Sequence, residues 1–203
     1  METALRARPA AGRPETRPLA SRRRLLASAA AILRAEGYTG LTMERVSAES
    51  GVAKTTLYRH WPTKASLCMD LYLEQAGREL HDPDTGDIAS DLRQIVSAVV
   101  RLQTRTVAGP AFVGLLAEAQ INPASREALL AEFAQRRREI TRRVIRRAIA
   151  RGEIRRDVDV DLVIDVLGGA TTFRLLQGHA PLNPRFADEL VALVLRGAAR
   201  VKA

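Results

Sequence analysis

The sequence predicts an all-α protein, and three observations carry that expectation. Aromatic residues make up only 4% of the 203-residue chain, too few for a strand-rich core, while the helix formers Ala, Leu, Arg and Glu abound. Apolar residues recur at spacings of three and four through most of the chain, the period of a helix with one buried face. Gly, Pro, Asn and Asp fall between these periodic stretches, where helices stop and turns form. A hydrophobic content of 46% with 27% charged residues is ordinary for a globular chain. The single cysteine excludes an intrachain disulfide and a Cys-rich zinc module. His60, His81 and His179 lie far apart, so neither a metal nor a cofactor is expected. No apolar run approaches the roughly 18 residues that span a bilayer, so no membrane partner is expected either.

Taken in order, residues 1–20 are rich in Pro and Arg without apolar periodicity and predict a disordered basic arm. A first helix runs from about Ser21 to Glu36, with Leu25, Leu26, Ala29, Ile32 and Leu33 on one face and Gly37 as its stop. The Ser21-Arg22-Arg23-Arg24-Leu25-Leu26 run has the look of an export signal. Arg34 and Glu36 close its apolar stretch too early, so a cytoplasmic protein is expected. Thr42 suits the N-cap of a short helix ending at Ser50, with Glu44 near the positive end of its dipole. Gly51 breaks it, and Ala53–His60 forms a third helix that ends at Trp61 because Pro62 follows. Thr63 caps a fourth helix to about Leu80, striped by Leu67, Leu71 and Ala76. After the Asp82–Gly86 loop, further helices are expected at about 87–107, 111–121, 124–151, 159–178 and 184–201.

Charge adds a partner to this outline. The chain carries 32 Lys and Arg against 23 Asp and Glu, a net charge of +9. Residues 1–64 hold +7 of that excess and the rest only +2, so the attraction to a polyanion is concentrated in the first third. Within it, residues 42–60 have the form of two short helices joined by a tight turn at Gly51, where glycine tolerates a positive φ. Val46, Val52 and Leu57 are spaced to pack the two helices together. Lys54, Thr55, Tyr58 and Arg59 then fall on the opposite side of the second one. A cation, a hydroxyl, a phenol and a guanidinium on one helix face suit phosphates and base edges in a major groove. Thr42 and Lys64 flank the unit, where a helix N-terminus and an ammonium meet the backbone. The arm at 1–20 is either a solvated tail or a source of further phosphate or minor-groove contacts.

The run Gly51-Val52-Ala53-Lys54-Thr55-Thr56-Leu57-Tyr58-Arg59-His60-Trp61, followed by Lys64 and Leu67, resembles the DNA-binding signature of the tetracycline-repressor (TetR) family. So do the preceding Gly37-Tyr38, Leu41-Thr42 and Val46, and the likeness covers about residues 21–70. It implies a homodimeric regulator with a helix-turn-helix DNA-binding domain at about 21–66 and a ligand-binding and dimerisation domain at 67–203. Thr42, Lys54, Thr55, Tyr58, Arg59, His60 and Lys64 are then the DNA-contacting positions. Ala53 stands where the family often has serine, and Trp61 where phenylalanine is usual. Arg147–Asp157 and Asp165–Gly169 carry a weaker likeness to regulator ligand domains.

From this follow a near-palindromic double-stranded operator, a homodimer and an unidentified small-molecule effector. The nearly uncharged stretches of the last two helices predict burial on more than one side, and Leu175, Leu190 and Val194 are expected at the dimer interface, with Gly168 and Gly169 allowing close approach. Phe112, Leu116, Gln120, Phe133, Thr172, Phe173 and Gln177 are the expected lining of an effector pocket for a mostly apolar ligand. Repression is the expected sign of regulation. Catalysis is not expected: no Ser-His-Asp set is suggested, Cys68 sits among apolar neighbours, and Glu153, Asp157, Asp159, Asp161 and Asp165 gather at a helix start, where acids favour the dipole. The arginines of 124–151 read as a solvated helix face, opposite an apolar face of Leu130, Phe133, Ile140, Val144 and Ala148. A helical adaptor that binds RNA or an acidic surface would share the charge and the helices, and sequence-specific duplex retention at raised salt separates the two readings.

Overall fold

The computed structural model describes residues 17–198, apart from the side chains of 17, 18, 132–137 and 198. Among these residues the regular structure is helical throughout: α1 (Arg17–Gly40), α2 (Met43–Ser50), α3 (Lys54–His60), α4 (Lys64–Glu79), α5 (Ile88–Arg105), α6 (Ala108–Ile121), α7 (Pro123–Ala128), α8 (Gln135–Arg151), α9 (Val160–Gln177) and α10 (Pro184–Ala198), with a π-helical turn at Leu129–Ala134 between α7 and α8. The all-α class stands. Helix α1 begins at Arg17, inside the segment expected to be a disordered arm; residues 1–16 lie outside the described residues.

Local chemistry accounts for the first four elements. Gly37, at φ 68°, bends α1 near the expected stop, and a last turn carries the chain on to Gly40. The Thr42 hydroxyl accepts from the Arg45 N–H at 3.2 Å and starts α2, which Gly51 ends in the left-handed conformation at φ 64°. Trp61, held extended ahead of Pro62, stops α3. Thr63 and Ser66 form a reciprocal capping box on α4.

Two positions depart from the expected boundaries. Helix α6 starts at Ala108 rather than after Pro110, because a proline in the first turn gives up an N–H that has no helical partner anyway. The helix expected over 124–151 is interrupted by the π turn, which shifts the register. As a result Leu129 is buried while Leu130, expected on the inner face, is 53% exposed. Beyond the turn, Val144 and Ala148 face inward as expected.

The apolar side chains form two clusters. The first holds Leu25, Leu33, Val46, Leu57, Trp61, Leu67 and Tyr72 and continues without a break into Ala111, Phe112 and Leu115 of α6. The expected domain boundary at 66/67 is therefore no packing boundary: α4 and α6 belong to the same core as the N-terminal head. The second cluster joins α5, α8, α9 and α10 around Leu92, Val144, Ile164, Phe186 and Leu190. No helix among the described residues is long and apolar enough to cross a membrane, and no group of three or more His, Cys, Asp or Glu there is placed to hold a metal ion.

Candidate nucleic-acid interface

The head is assembled so that α3 has one anchored and one open face. Leu57 is fully buried, with Val46 and Val52 beneath it, which fixes the rotation of the short helix. Lys54, Thr55, Tyr58 and Arg59 are left exposed on its other side. Burying a leucine stabilises by about 1.5–3 kcal/mol, more than enough to decide which face of a seven-residue helix points out.

A brace below α3 holds that orientation. Asp70 of α4 accepts from Arg22 of α1 at 2.7 Å and from the Trp61 indole N–H at 2.9 Å, and the Arg22 guanidinium lies 5.9 Å from the Trp61 ring centroid. One carboxylate thereby ties α1, the end of α3 and α4 together. A phenylalanine at 61 has no N–H to give, so tryptophan does more here than fill the same core space.

On the open face, the Glu44 carboxylate of α2 accepts from the Tyr58 hydroxyl at 3.2 Å and lies 3.8 Å from the Lys54 ammonium. Its own backbone N–H, with Tyr58 and Lys54 adding, holds this carboxyl below its ordinary value. Partial burial and the Glu44 charge push the Tyr58 phenol up. Both groups therefore keep their ordinary protonation at neutral pH. Arg59 forms no ion pair among the described residues. Thr42 is exposed, and its capping bond leaves the hydroxyl proton available.

Two expected contact residues are placed differently. The Lys64 ammonium is half-buried, donates to the Tyr38 carbonyl at 2.9 Å and lies 3.9 Å from the Tyr38 ring centroid, so it serves the α1–α4 junction. His60 is half-buried with its Nε2 enclosed and unpartnered, its ring tilted against Trp61. The open face therefore comprises Thr42, Lys54, Thr55, Tyr58 and Arg59, together with Glu44, to which the sequence assigned only a dipole role.

The head meets the rest of the chain at Tyr38. Its hydroxyl donates to Glu118 of α6, and its ring covers Gly114 so closely that a Cβ there would fall 2.0 Å from it. Burial, then the bond to Glu118, pushes the Tyr38 phenol up. Cys68, buried nearby, is pushed up to about 12 by burial, which leaves it a neutral thiol.

Further from the head, a cavity of about 320 Å³ opens between α5, α6, α8 and α9, lined among others by Val99, Phe112, Thr141, Leu167 and Thr172. A second, of about 280 Å³, shares Ile95, Val99 and Thr141 with it and adds His81, Arg93 and Arg101. Phe112 and Thr172 thus line the same cavity. Leu116 packs against the first apolar cluster, while Gln120, Phe173 and Gln177 face solvent in the single chain. The Phe133 side chain lies outside the described residues.

The residues expected at the dimer interface turn inward. Leu190 is 6% exposed within the second cluster, Val194 packs beside it, and Leu175 packs on the first. Leu162, Val166, Phe173 and Leu176 form the exposed stripe on α9, with Leu193 on α10. On α9, with apolar residues around its girth, the sequence has no means of telling inner from outer side. On α10, by contrast, the polar face of Arg185, Asp188, Glu189 and Arg196 already sets Leu190 and Val194 opposite.

A buried anchor, a tight turn and an exposed cationic helix in an all-helical chain define a helix-turn-helix DNA-binding protein. Residues 25–69 match the N-terminal model of the bacterial TetR regulatory proteins, and residues 82–194 match a tetracyclin repressor-like C-terminal domain. The HTH-type transcriptional regulator Rv1556 of Mycobacterium tuberculosis is 30% identical over 84% of this chain and 82% of its own. The DNA-binding transcriptional repressor TetR of Mycobacteroides abscessus is 29% identical over 90% and 94%. Among solved structures, the TetR family transcription regulator SCO0332 superposes with a TM-score of 0.72 at 36% identity, covering 89% of this chain and 99% of that one. The chain belongs to the TetR family of DNA-binding transcriptional regulators.

Proposed function

We propose that the protein is a cytoplasmic, dimeric repressor that reads a near-palindromic operator with α3 and releases it when a small, mostly apolar molecule binds the C-terminal helices. The observation that carries this reading is the open face of Lys54, Thr55, Tyr58 and Arg59 around the buried Leu57. A monomer with one short reading helix makes few contacts, and a two-fold dimer places two of them on successive turns of the duplex. The exposed stripe of Leu162, Val166, Phe173 and Leu176, with Leu193, supplies the surface for that dimer, two copies of α9 and α10 making a four-helix bundle. The name of the M. abscessus relative supports the sign of regulation.

The apolar cavity beside Phe112 and Thr172 suits a ligand with one or two hydrogen-bonding groups. Release requires a ligand that favours the non-DNA conformation by a coupling of roughly 1–3 kcal/mol, and operator then weakens ligand binding by the same factor. Selection of genomic fragments with the full chain tests the reading: a recurring two-fold motif retained at raised salt supports it, and salt-labile retention of all duplexes alike overturns it. Phe173→Asp should yield a monomer at micromolar concentration by sedimentation with weakened fragment binding; an unchanged dimer would remove the α9–α10 interface from the proposal.

A further inference from the structure

We propose that Glu44 is a specificity-determining residue of the DNA-reading surface, its carboxylate accepting a hydrogen bond from the exocyclic amino group of a cytosine in each half-site. The inference rests on the DNA-reading role of α3 and adds a residue on a different helix.

Glu44 is the acidic member of an otherwise cationic and hydroxyl-bearing face. It stands in the first turn of α2, yet its carboxylate reaches across to α3, where Oε1 takes the Tyr58 hydroxyl at 3.2 Å and the Lys54 ammonium at 3.8 Å. A preference for the helix dipole accounts for an acid in that turn, and does not account for its hydrogen bond to Tyr58 and its long ion pair with Lys54. The side chain is 60% exposed, so the group is not hidden from a duplex docked on Tyr58 and Lys54.

A carboxylate is the wrong charge for phosphate contacts, so its value on this surface lies with the bases. In the major groove cytosine offers the N4 amino donor, and glutamate accepts from it. Adenine also offers a donor, but with the N7 acceptor directly beside it, which a carboxylate meets unfavourably. Tyr58 and Lys54 occupy one oxygen in the free protein, and an ionised carboxylate has about four acceptor sites. These two partners hold the carboxylate in position, offset its charge beside the phosphates, and leave capacity for a base. Where no cytosine is placed to donate, the carboxylate is desolvated without a partner, which lowers affinity for wrong sequences as well as raising it for the right one.

The test is selection from a random duplex library by the full-length chain, run in parallel for the wild type, Glu44→Ala and Glu44→Gln, with melting curves to show that the exposed substitutions leave the fold intact. The wild type should enrich a motif with one C·G pair per half-site whose preference, roughly five- to a hundredfold for a well-placed side-chain contact, disappears in Glu44→Ala while the other positions persist. Glu44→Gln should move that position towards A·T, since an amide pairs with adenine N6 and N7. Affinity of Glu44→Ala for unrelated duplex should rise, because a negative charge has left the interface. Identical motifs from all three chains, or a gain of affinity with no position altered, would overturn the inference and leave the reading by α3 standing. A wild type that enriches no motif would overturn both.

Discussion

Two helices of this chain are rich in cations, and they are put to opposite uses. On α3, Arg59 stands without an ion pair among the described residues, and Lys54 has only the long contact to Glu44. On α8, five of the six arginines whose side chains are described are closed by acids, Arg146 being the exception. Arg138 bonds Asp161 and Asp165, Arg142 bonds Glu139 and Asp161, Arg143 and Arg147 share Asp82 at 2.9 and 2.7 Å, and Arg151 bonds Glu153. Counting arginines in the sequence ranks α8 as the better polyanion surface; the share left unpaired among the described side chains ranks α3. The acids around 153–165 share in this closure: Asp159 caps α9, while Asp161 and Asp165 bridge to α8. On the proposed reading, a cationic helix serves as a nucleic-acid surface when the nearby carboxylates leave a cation such as Arg59 unpaired, as much as through its own charge.

The largest effect should come from exchanging these two roles by mutation. Lys54→Ala with Arg59→Ala should weaken binding of a selected operator by roughly 10²-fold or more, since a base-reading arginine alone contributes about 1–3 kcal/mol and a dimer loses it twice. Removing a phosphate contact should also flatten the salt dependence by nearly one unit of slope per contact. Arg143→Ala with Arg147→Ala removes the same charge from α8 and should change operator affinity by less than about twofold, by mobility shift at fixed salt, because that charge is already spent within the chain. Equal losses from both pairs would break the comparison.

Legibility in the sequence followed the same division. The head was readable because each of its decisions is local. Thr42 caps, Gly51 turns, Pro62 stops, and Leu57 opposes Lys54, Tyr58 and Arg59 within a single helix. What depends on pairing between distant segments was not readable. The sequence offers Lys64 to phosphate but does not show that its ammonium is shared with Tyr38, twenty-six residues away. Leu130 looked buried because a 3.6-residue period does not announce a π turn, which needs only one extra residue in one turn of the helix. On α9 apolar residues surround the helix, and only its neighbours decide that Leu175 packs on the first cluster; on α10 the polar face of Arg185, Asp188, Glu189 and Arg196 already sets Leu190 and Val194 opposite.

A smaller effect should separate the brace under α3 from the face above it. Trp61→Phe keeps the buried ring and removes the indole N–H, leaving the Asp70 carboxylate with Arg22 alone. The expected cost is about 1.5–3 kcal/mol of unfolding free energy, a hydrogen bond to a charged group, read as a lower denaturant midpoint at unchanged slope. Operator affinity at neutral pH and low temperature should fall little, because Leu57 still fixes the rotation of α3. A loss of operator binding with no loss of stability would mean that the tryptophan positions the reading helix rather than merely supporting it.

The smallest effect concerns the closed row on α8, and it is one of pH. The Arg147 guanidinium, with Arg143 adding, holds the Asp82 carboxyl below its ordinary value. A carboxylate whose folded value is depressed contributes stability that is fully present above the unfolded value, about 3.9 for an aspartate. That contribution is lost as pH falls through the lower folded value, when protonation removes the attraction in the folded chain. Asp82 is partly exposed, at 32% of its side chain, so solvent screening keeps the contribution modest. The measurement is the difference in denaturant midpoint between the wild type and Asp82→Asn across pH. That difference should be constant from neutrality down to about pH 4 and shrink towards zero below it, because the asparagine variant has no proton to bind there. The acid limb should therefore loosen the tie between α8 and the 82–84 loop. A difference that persists undiminished at the acid end would show that Asp82 acts through packing at the loop, and that the arginines of α8 are held by their remaining partners.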